Sequence, residues 1–160
     1  MKYIIGLGTN LGNKKKNIDR AVQAFEHLPK CTVLCRSALF ETEPVGYAEQ
    51  DSFYNACLEI ESSLTPNEML GVCLGIEAAF GRERLIKNGP RILDLDVILT
   101  SEQTEMNEEN LILPHPRYTE RRFVLIPLLD LFPNGEAYGV PFSHHLFGIK
   151  GQAIRQLSED

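Results

Sequence analysis

No stretch of this chain approaches the length of apolar sequence that crosses a membrane. The apolar segment at its start, residues 1–6, is too short for a secretory signal and carries no small-residue cleavage site. Neither a membrane protein nor an exported one is expected, and the location implied is the cytoplasm. The four cysteines, Cys31, Cys35, Cys57 and Cys73, include no Cys-x-x-Cys pair. Three of them lie in apolar runs, which favours buried free thiols over disulfides or zinc. Positive charge is scarce: 16 Lys and Arg stand against 22 Asp and Glu, a net charge of -6, with a pI near 5.3. That balance argues against a general nucleic-acid binder, which usually shows a basic face. Repeats and low-complexity segments are absent. Two nucleotide-binding signatures are missing as well. In Gly6-Leu7-Gly8-Thr9-Asn10-Leu11-Gly12 the third glycine falls one position late for Gly-x-Gly-x-x-Gly, and Gly-x-x-x-x-Gly-Lys-Ser/Thr occurs nowhere. A tight strand-to-helix turn accounts for these glycines.

What is present suits one globular domain over residues 1–160, with 43% hydrophobic and 24% charged residues, enough to bury a core. Residues 2–9 read as a buried strand. Ile18, Ala21, Val22, Phe25 and Leu28 recur at helical spacing over residues 14–28, ended by Pro29. Strands follow over 32–40 and 53–60. A second helix covers 66–80, with Pro66 in its first turn and Gly81 at its C-terminal cap. A further strand, opened by Gly89-Pro90 and carrying Asp94 and Asp96, comes next. The order β-α-β-β-α-β is an α+β arrangement, the ferredoxin-like split unit with both helices on one face of the sheet. C-terminal additions follow, divided by prolines, with a helix expected over 118–131.

The densest chemistry lies in the last of those strands. Gly89-Pro90-Arg91-Ile92-Leu93-Asp94-Leu95-Asp96-Val97-Ile98-Leu99 sets two carboxylates one residue apart in an apolar run. In a strand Asp94 and Asp96 share one face, roughly 7 Å apart, and Leu93, Leu95, Val97 and Leu99 take the other. Like charges so placed call for a cation between them, and magnesium with its preference for oxygen is the natural one. Just upstream, residues 81–91 hold four cations and one anion. Carboxylates for a metal beside guanidiniums for phosphate describe a nucleotide polyphosphate site. A solvated strand face and an ordinary basic loop are the plainer alternative. Three long connections are natural places for binding residues: 41–52 as a substrate lid, 81–90 as the arginine loop, and 101–110, where a plain solvated loop is the better reading.

Several blocks together resemble the 6-hydroxymethyl-7,8-dihydropterin pyrophosphokinases of folate biosynthesis. Gly89 to Ile98 is similar to that family's signature, Gly6 to Gly12 to its opening, and Thr42-x-Pro44-x-Gly46 to its substrate loop. Phe53-Tyr54-Asn55-Ala56 resembles its pterin segment, and Pro114-His115-Pro116-Arg117 with Arg121-Arg122-Phe123-Val124 its closing region. The resemblance spans nearly the whole chain in the family's order. It implies transfer of the terminal diphosphate of ATP to the pterin hydroxymethyl group, giving AMP and the pterin diphosphate, on a ferredoxin-like fold with two Mg2+ ions. It implies catalytic roles for Arg82, Arg91, Asp94 and Asp96, with the two aspartates holding the metals. ATP would meet Arg84, Lys87, Ile98, His115 and Arg121. The pterin would lie between Phe53 and Phe123, read along its edge by Asn55, with Thr42 and Val45 in contact.

Surface ion pairs are the bland alternative for the cations, above all Lys87, and core packing for the two phenylalanines. Glu77 is a weaker carry-over, set against an ordinary solvated helical residue. One departure concerns the arginine loop. Many members carry a tryptophan just before Gly-Pro-Arg; this chain has none and places Asn88 there, which weakens the expected closure of the loop over ATP. The partners implied are ATP and 6-hydroxymethyl-7,8-dihydropterin, with no nucleic acid, no membrane and a monomeric state. Two other functions fit the Asp pair or the fold: a different two-metal nucleotidyltransferase, which would release pyrophosphate, and a non-catalytic ferredoxin-like ligand sensor.

Overall fold

Tyr3, Ile4, Ile5 and Leu7 are all buried, and a strand apolar on both faces belongs in the middle of a sheet. In the computed structural model, which describes residues 1–43, 50–81 and 91–158, this run is β1 (Lys2–Thr9). It lies between the later strands β4 (Phe53–Ser62) and β5 (Asp94–Thr100), antiparallel to both. β2 (Cys31–Arg36) and β3 (Phe40–Thr42) pair with successive stretches of the far edge of β4, and β10 (Ile154–Gln156) adds to β3. The result is a mixed α/β fold on one antiparallel sheet. Two short hairpins lie outside it, β6 (Met106–Asn107) with β7 (Ile112–Leu113) and β8 (Glu136–Ala137) with β9 (Val140–Pro141).

Period-2 alternation gives the sheet two different faces. On one, Tyr3, Ile5, Leu7, Leu58, Ile60, Leu95 and Val97 pack against Ile18, Val22 and Phe25 of α1 (Lys14–Glu26) and Met69 and Cys73 of α2 (Pro66–Ala79). Local capping fixes where both helices begin. The Asn13 side chain accepts the Lys16 N–H at 3.1 Å, and Thr65 with Glu68 forms a reciprocal capping box ahead of Pro66. On the opposite face Ile4, Cys57, Ile98 and Leu99 meet Val124, Leu125 and Leu128 of α3 (Arg122–Leu131). This third helix covers only part of its face. Gly6, Gly8, Phe53, Asn55, Asp94 and Asp96 occupy the remainder, where a cleft replaces a helix.

Several expectations need correction. The strand expected over 32–40 is two strands, because Ser37 takes over the ladder between them: its N–H donates to the Cys57 carbonyl and its hydroxyl accepts the Cys57 N–H, each at 2.9 Å. Leu99 leaves the face of Leu95 and Val97, since the β1–β5 register shifts between Ile4 and Ile5. Gly6 and Gly8 lie within β1; of the three glycines only Gly12, at φ +71°, serves the turn. The connection 101–110 contains β6. The helix expected over 118–131 begins at Arg122, because Arg121 has an extended backbone that separates it from a single 3-10 turn at Tyr118–Glu120. Cys31, Cys57 and Cys73 are buried free thiols, and Cys35 is exposed. Among the described residues no helix is long and apolar enough to cross a membrane.

Candidate active site

Register builds the cleft. Gly8 of β1 stands directly between Asn55 of β4 and Asp94 of β5, and Gly6 between Cys57 and Asp96. Without side chains, the two glycines open a floor across the middle of the sheet. A Cβ on Gly8 would meet the Asn55 Nδ2 at 3.1 Å, and one on Gly6 the Ile98 Cδ1 at 3.4 Å. Phe53, Asn55 and Thr42 line one flank, Asp94, Asp96 and Arg91 the other, with Arg121, Phe123 and Gln152 above. The cavity at its centre measures about 190 Å³.

The acidic flank is held from behind. β5 is the terminal strand of the sheet, and the N–H of Leu95, between the two aspartates, is taken by Glu77 Oε2 of α2 at 2.8 Å. Glu77 is 4% exposed, so it is neither a solvated helical residue nor a lining residue of the cleft. Arg91 Nη1 reaches Asp94 Oδ2 at 3.2 Å, both side chains being mostly buried. The Arg91 Nε is buried and has no hydrogen-bond partner among the described residues. A buried cationic donor without an acceptor is costly, and it suits an anionic ligand. Asn10 fixes the Arg91 backbone at both ends: its Oδ1 accepts the Arg91 N–H at 2.7 Å, and its own N–H donates to the Arg91 carbonyl at 3.0 Å. The same Asn10 amide donates to Gln50 Oε1 at 2.7 Å and to the Asp51 carbonyl at 3.1 Å.

Arg121 carries its guanidinium over the Phe123 ring, 5.4 Å from the centroid. Burial draws its pKa down, against the pull of Asp96 and Asp94; an arginine stays charged regardless. A partly desolvated cation thus faces the two carboxylates. His115 is joined to β5 through its N–H, which donates to the Ile98 carbonyl at 2.9 Å. Burial first, then Arg121, pushes its pKa down to about 4, with Asp94 opposing. The Arg117 N–H donates to His115 Nδ1 at 3.2 Å. That contact requires a lone pair on Nδ1, so the neutral ring carries its proton on Nε2.

On the apolar flank the Thr42 hydroxyl donates to Asn55 Oδ1 at 2.7 Å in a buried contact. The Asn55 Nδ2 is thereby turned toward the Gly8 floor. Phe53 and Phe123 line the same cleft from different elements, which suits a flat ligand with a hydrogen-bonding edge.

Ten expected site residues are therefore described. Arg91, Asp94, Asp96, Ile98, Arg121, Thr42, Phe53, Asn55 and Phe123 line one cleft, and His115 stands beside it. Val45, Arg82, Arg84 and Lys87 lie outside the described residues, as does the closure expected of the arginine loop. Four residues outside the expected set also shape the site: Gly6, Gly8, Asn10 and Gln152. The two glycines did carry a signal: they recur with the strand period on the face opposite Tyr3, Ile5 and Leu7. Asn10 and Gln152 carried none, since their partners are 30 or more residues away.

Paired carboxylates facing partly buried guanidiniums, next to an aromatic slot, define the class of nucleotide-dependent group-transfer enzymes. The family model described as 7,8-dihydro-6-hydroxymethylpterin-pyrophosphokinase matches residues 4–133, and the chain belongs to that family. It is 44% identical over 130 residues to the 2-amino-4-hydroxy-6-hydroxymethyldihydropteridine pyrophosphokinase of Methylorubrum extorquens, covering 81% of this chain and 82% of that protein. To the enzyme of the same name from Bacillus subtilis it is 41% identical over 127 residues, covering 79% and 75%. Among solved structures, an HPPK-DHPS in complex with substrates superposes with a TM-score of 0.64 at 12% identity, over 92% of this chain and 43% of that one. That likeness concerns the fold.

Proposed function

We propose that the protein transfers the terminal diphosphate of ATP to the hydroxymethyl group of 6-hydroxymethyl-7,8-dihydropterin, releasing AMP, as a step of folate biosynthesis. The observation that carries this reading is the single cleft in which the Asp94/Asp96 pair and the Arg91 and Arg121 guanidiniums meet Phe53, Asn55 and Phe123. Family membership and the close relatives' names agree with it. The β1–α1–β2/β3–β4–α2–β5 core has the strand order of a ferredoxin-like unit, with β10 and α3 as additions. Because both layers of helices pack on one sheet, residues 1–160 form one domain in this reading. A monomeric state is part of the proposal, and the net charge of -6 argues against nucleic acid as a partner. A cytoplasmic location is part of the proposal.

The donor set fits magnesium. Two carboxylates cannot cage a metal alone, but magnesium is commonly held by one or two carboxylates together with substrate phosphates and water, so Asp94 and Asp96 would hold two ions that arrive with the nucleotide. When bound, the metal would neutralise phosphate charge at the reacting group. This chain's own residues do the rest. Arg91, through its unpartnered Nε, and Arg121 bind charge on the transferring group. His115 offers a neutral N–H at Nε2, and Ile98 an apolar contact for the nucleotide. Phe53 and Phe123 hold the pterin ring and exclude water, and Asn55, oriented by Thr42, reads its edge. Arg82, Arg84, Lys87 and Val45 complete the proposed set. A nucleotidyltransferase has no use for the aromatic slot, and a non-catalytic sensor leaves the Asp pair without a purpose.

The test is an incubation with ATP, magnesium and the pterin, identifying the nucleotide product, with Asp94→Asn alongside. AMP is expected only when pterin is present, and the variant should lose at least about a thousandfold in rate. ADP or pyrophosphate as the product would overturn the reading.

A further inference from the structure

The pterin half of the cleft is closed by a segment beyond the residues that the family model matches. β3, which carries Thr42, and the start of α3, which carries Phe123, are far apart in sequence. Residues 152–157 run between them. On the β3 side the Ala153 carbonyl accepts the Glu43 N–H at 3.4 Å, Ile154 pairs with Thr42, and the Leu157 N–H donates to the Leu39 carbonyl at 2.8 Å. Arg155 Nε and Nη2 each approach Glu41 Oε1 at 2.7 Å.

On the α3 side one side chain makes the connection. Gln152 Oε1 accepts the Arg122 N–H at 2.9 Å, and its Nε2 donates to the Glu120 carbonyl at 3.1 Å. The Gln152 backbone carbonyl accepts Arg122 Nη1 at 3.3 Å. This tie matters because α3 begins without help from its own sequence: Arg121, at its N-cap, makes no side-chain capping bond. An exposed amide donor at a helix start is normally satisfied by a local Ser, Thr, Asn or Asp. Here the acceptor comes from 30 residues downstream. The turn that Gln152 holds leads directly into Phe123, and Gln152 itself lines the cleft.

We propose that Gln152 is a positioning residue for pterin binding: it caps α3 from a distance and sets Phe123 against the flank formed by Thr42, Asn55 and Phe53. The proposal rests on the pterin reading of that flank. Its action is through Phe123 and the spacing of the two walls, and no direct role in the chemistry is assigned to it.

Steady-state kinetics of Gln152→Ala and Gln152→Glu, with ATP affinity measured separately in the absence of pterin, test this. Gln152→Ala should raise the KM for pterin about tenfold, the loss expected when one cap contact no longer fixes a binding wall. ATP affinity should change less than about twofold, which also shows that the variant is folded. Gln152→Glu keeps an acceptor facing the Arg122 N–H but loses the donor to the Glu120 carbonyl, and should recover part of the pterin KM. Equal losses for ATP and pterin, or no change in pterin KM, would overturn the role of Gln152 while leaving the reaction intact. A wild-type protein with no pterin-dependent AMP formation would overturn the reading of the site and this inference with it.

Discussion

At the scale of single residues the cleft depends as much on missing side chains as on present ones. Gly8 separates Asn55 from Asp94 across one strand, and the Asn55 amide has only one useful orientation once Thr42 has taken its oxygen. Gly8→Ala places a methyl 3.1 Å from Asn55 Nδ2. The amide must move, so the KM for pterin should rise by about 10- to 100-fold, the range for a small misplacement of a positioning group. Circular dichroism should remain that of the wild type. The Asp pair was legible because a strand running apolar through Leu93, Leu95 and Val97 has no structural use for two carboxylates. Gly6 and Gly8 misled because they sit beside a real turn glycine, Gly12, and a spacing close to a known phosphate motif invited comparison with loops.

Among elements, the joints are set by polar side chains that reach across the sheet. Asn10 follows β1 and is 1% exposed. It binds the residues that lead into β4, at Gln50 and Asp51, and the residue that leads into β5, at Arg91. Asn10→Ala leaves the partly buried Arg91 N–H without its acceptor, so stability should fall by about 1–3 kcal/mol in denaturant titration. Because the freed Arg91 is also the residue proposed to bind charge on the transferring group, kcat should fall about tenfold or more while KM for pterin changes less. Helices and central strands were readable from period alone: Ile18, Ala21, Val22 and Phe25 mark α1, and Met69 and Cys73 lie on the buried face of α2. The break at Ser37 and the bulge that turns Leu99 were not, since each depends on which strand lies alongside. Glu77 shows the same limit. A glutamate at helical spacing looks solvated until the terminal strand whose N–H it accepts is known.

The main sheet has unequal faces: α1 and α2 pack against one, and α3 covers part of the other, beside the cleft. The order of elements announced the covered face. The half-covered one depends on the C-terminal third, where short apolar pieces between prolines gave little pattern and the tie from Gln152 to α3 gave none. Charge is arranged to suit an anionic ligand, and this has a cost in acid. His115 titrates near 4 in the folded protein against 6.5 ordinarily. Between those values the unfolded chain holds the extra proton, so stability contributed by the neutral ring is complete above pH 6.5 and is lost as pH falls toward 4. Thermal or denaturant unfolding measured from pH 7 to 4 should show that loss, and His115→Asn should flatten the slope in this window.

The bare floor at Gly6 and Gly8 also bears on inhibition. A ligand seated there touches backbone, which mutation does not alter directly. Any residue replacing Gly8 brings a Cβ against Asn55, the group proposed to read the substrate. Resistance at this position would therefore damage the natural reaction along with the inhibitor's grip, and compounds that rest on the strand should be harder to escape than compounds that lean on side chains around the rim.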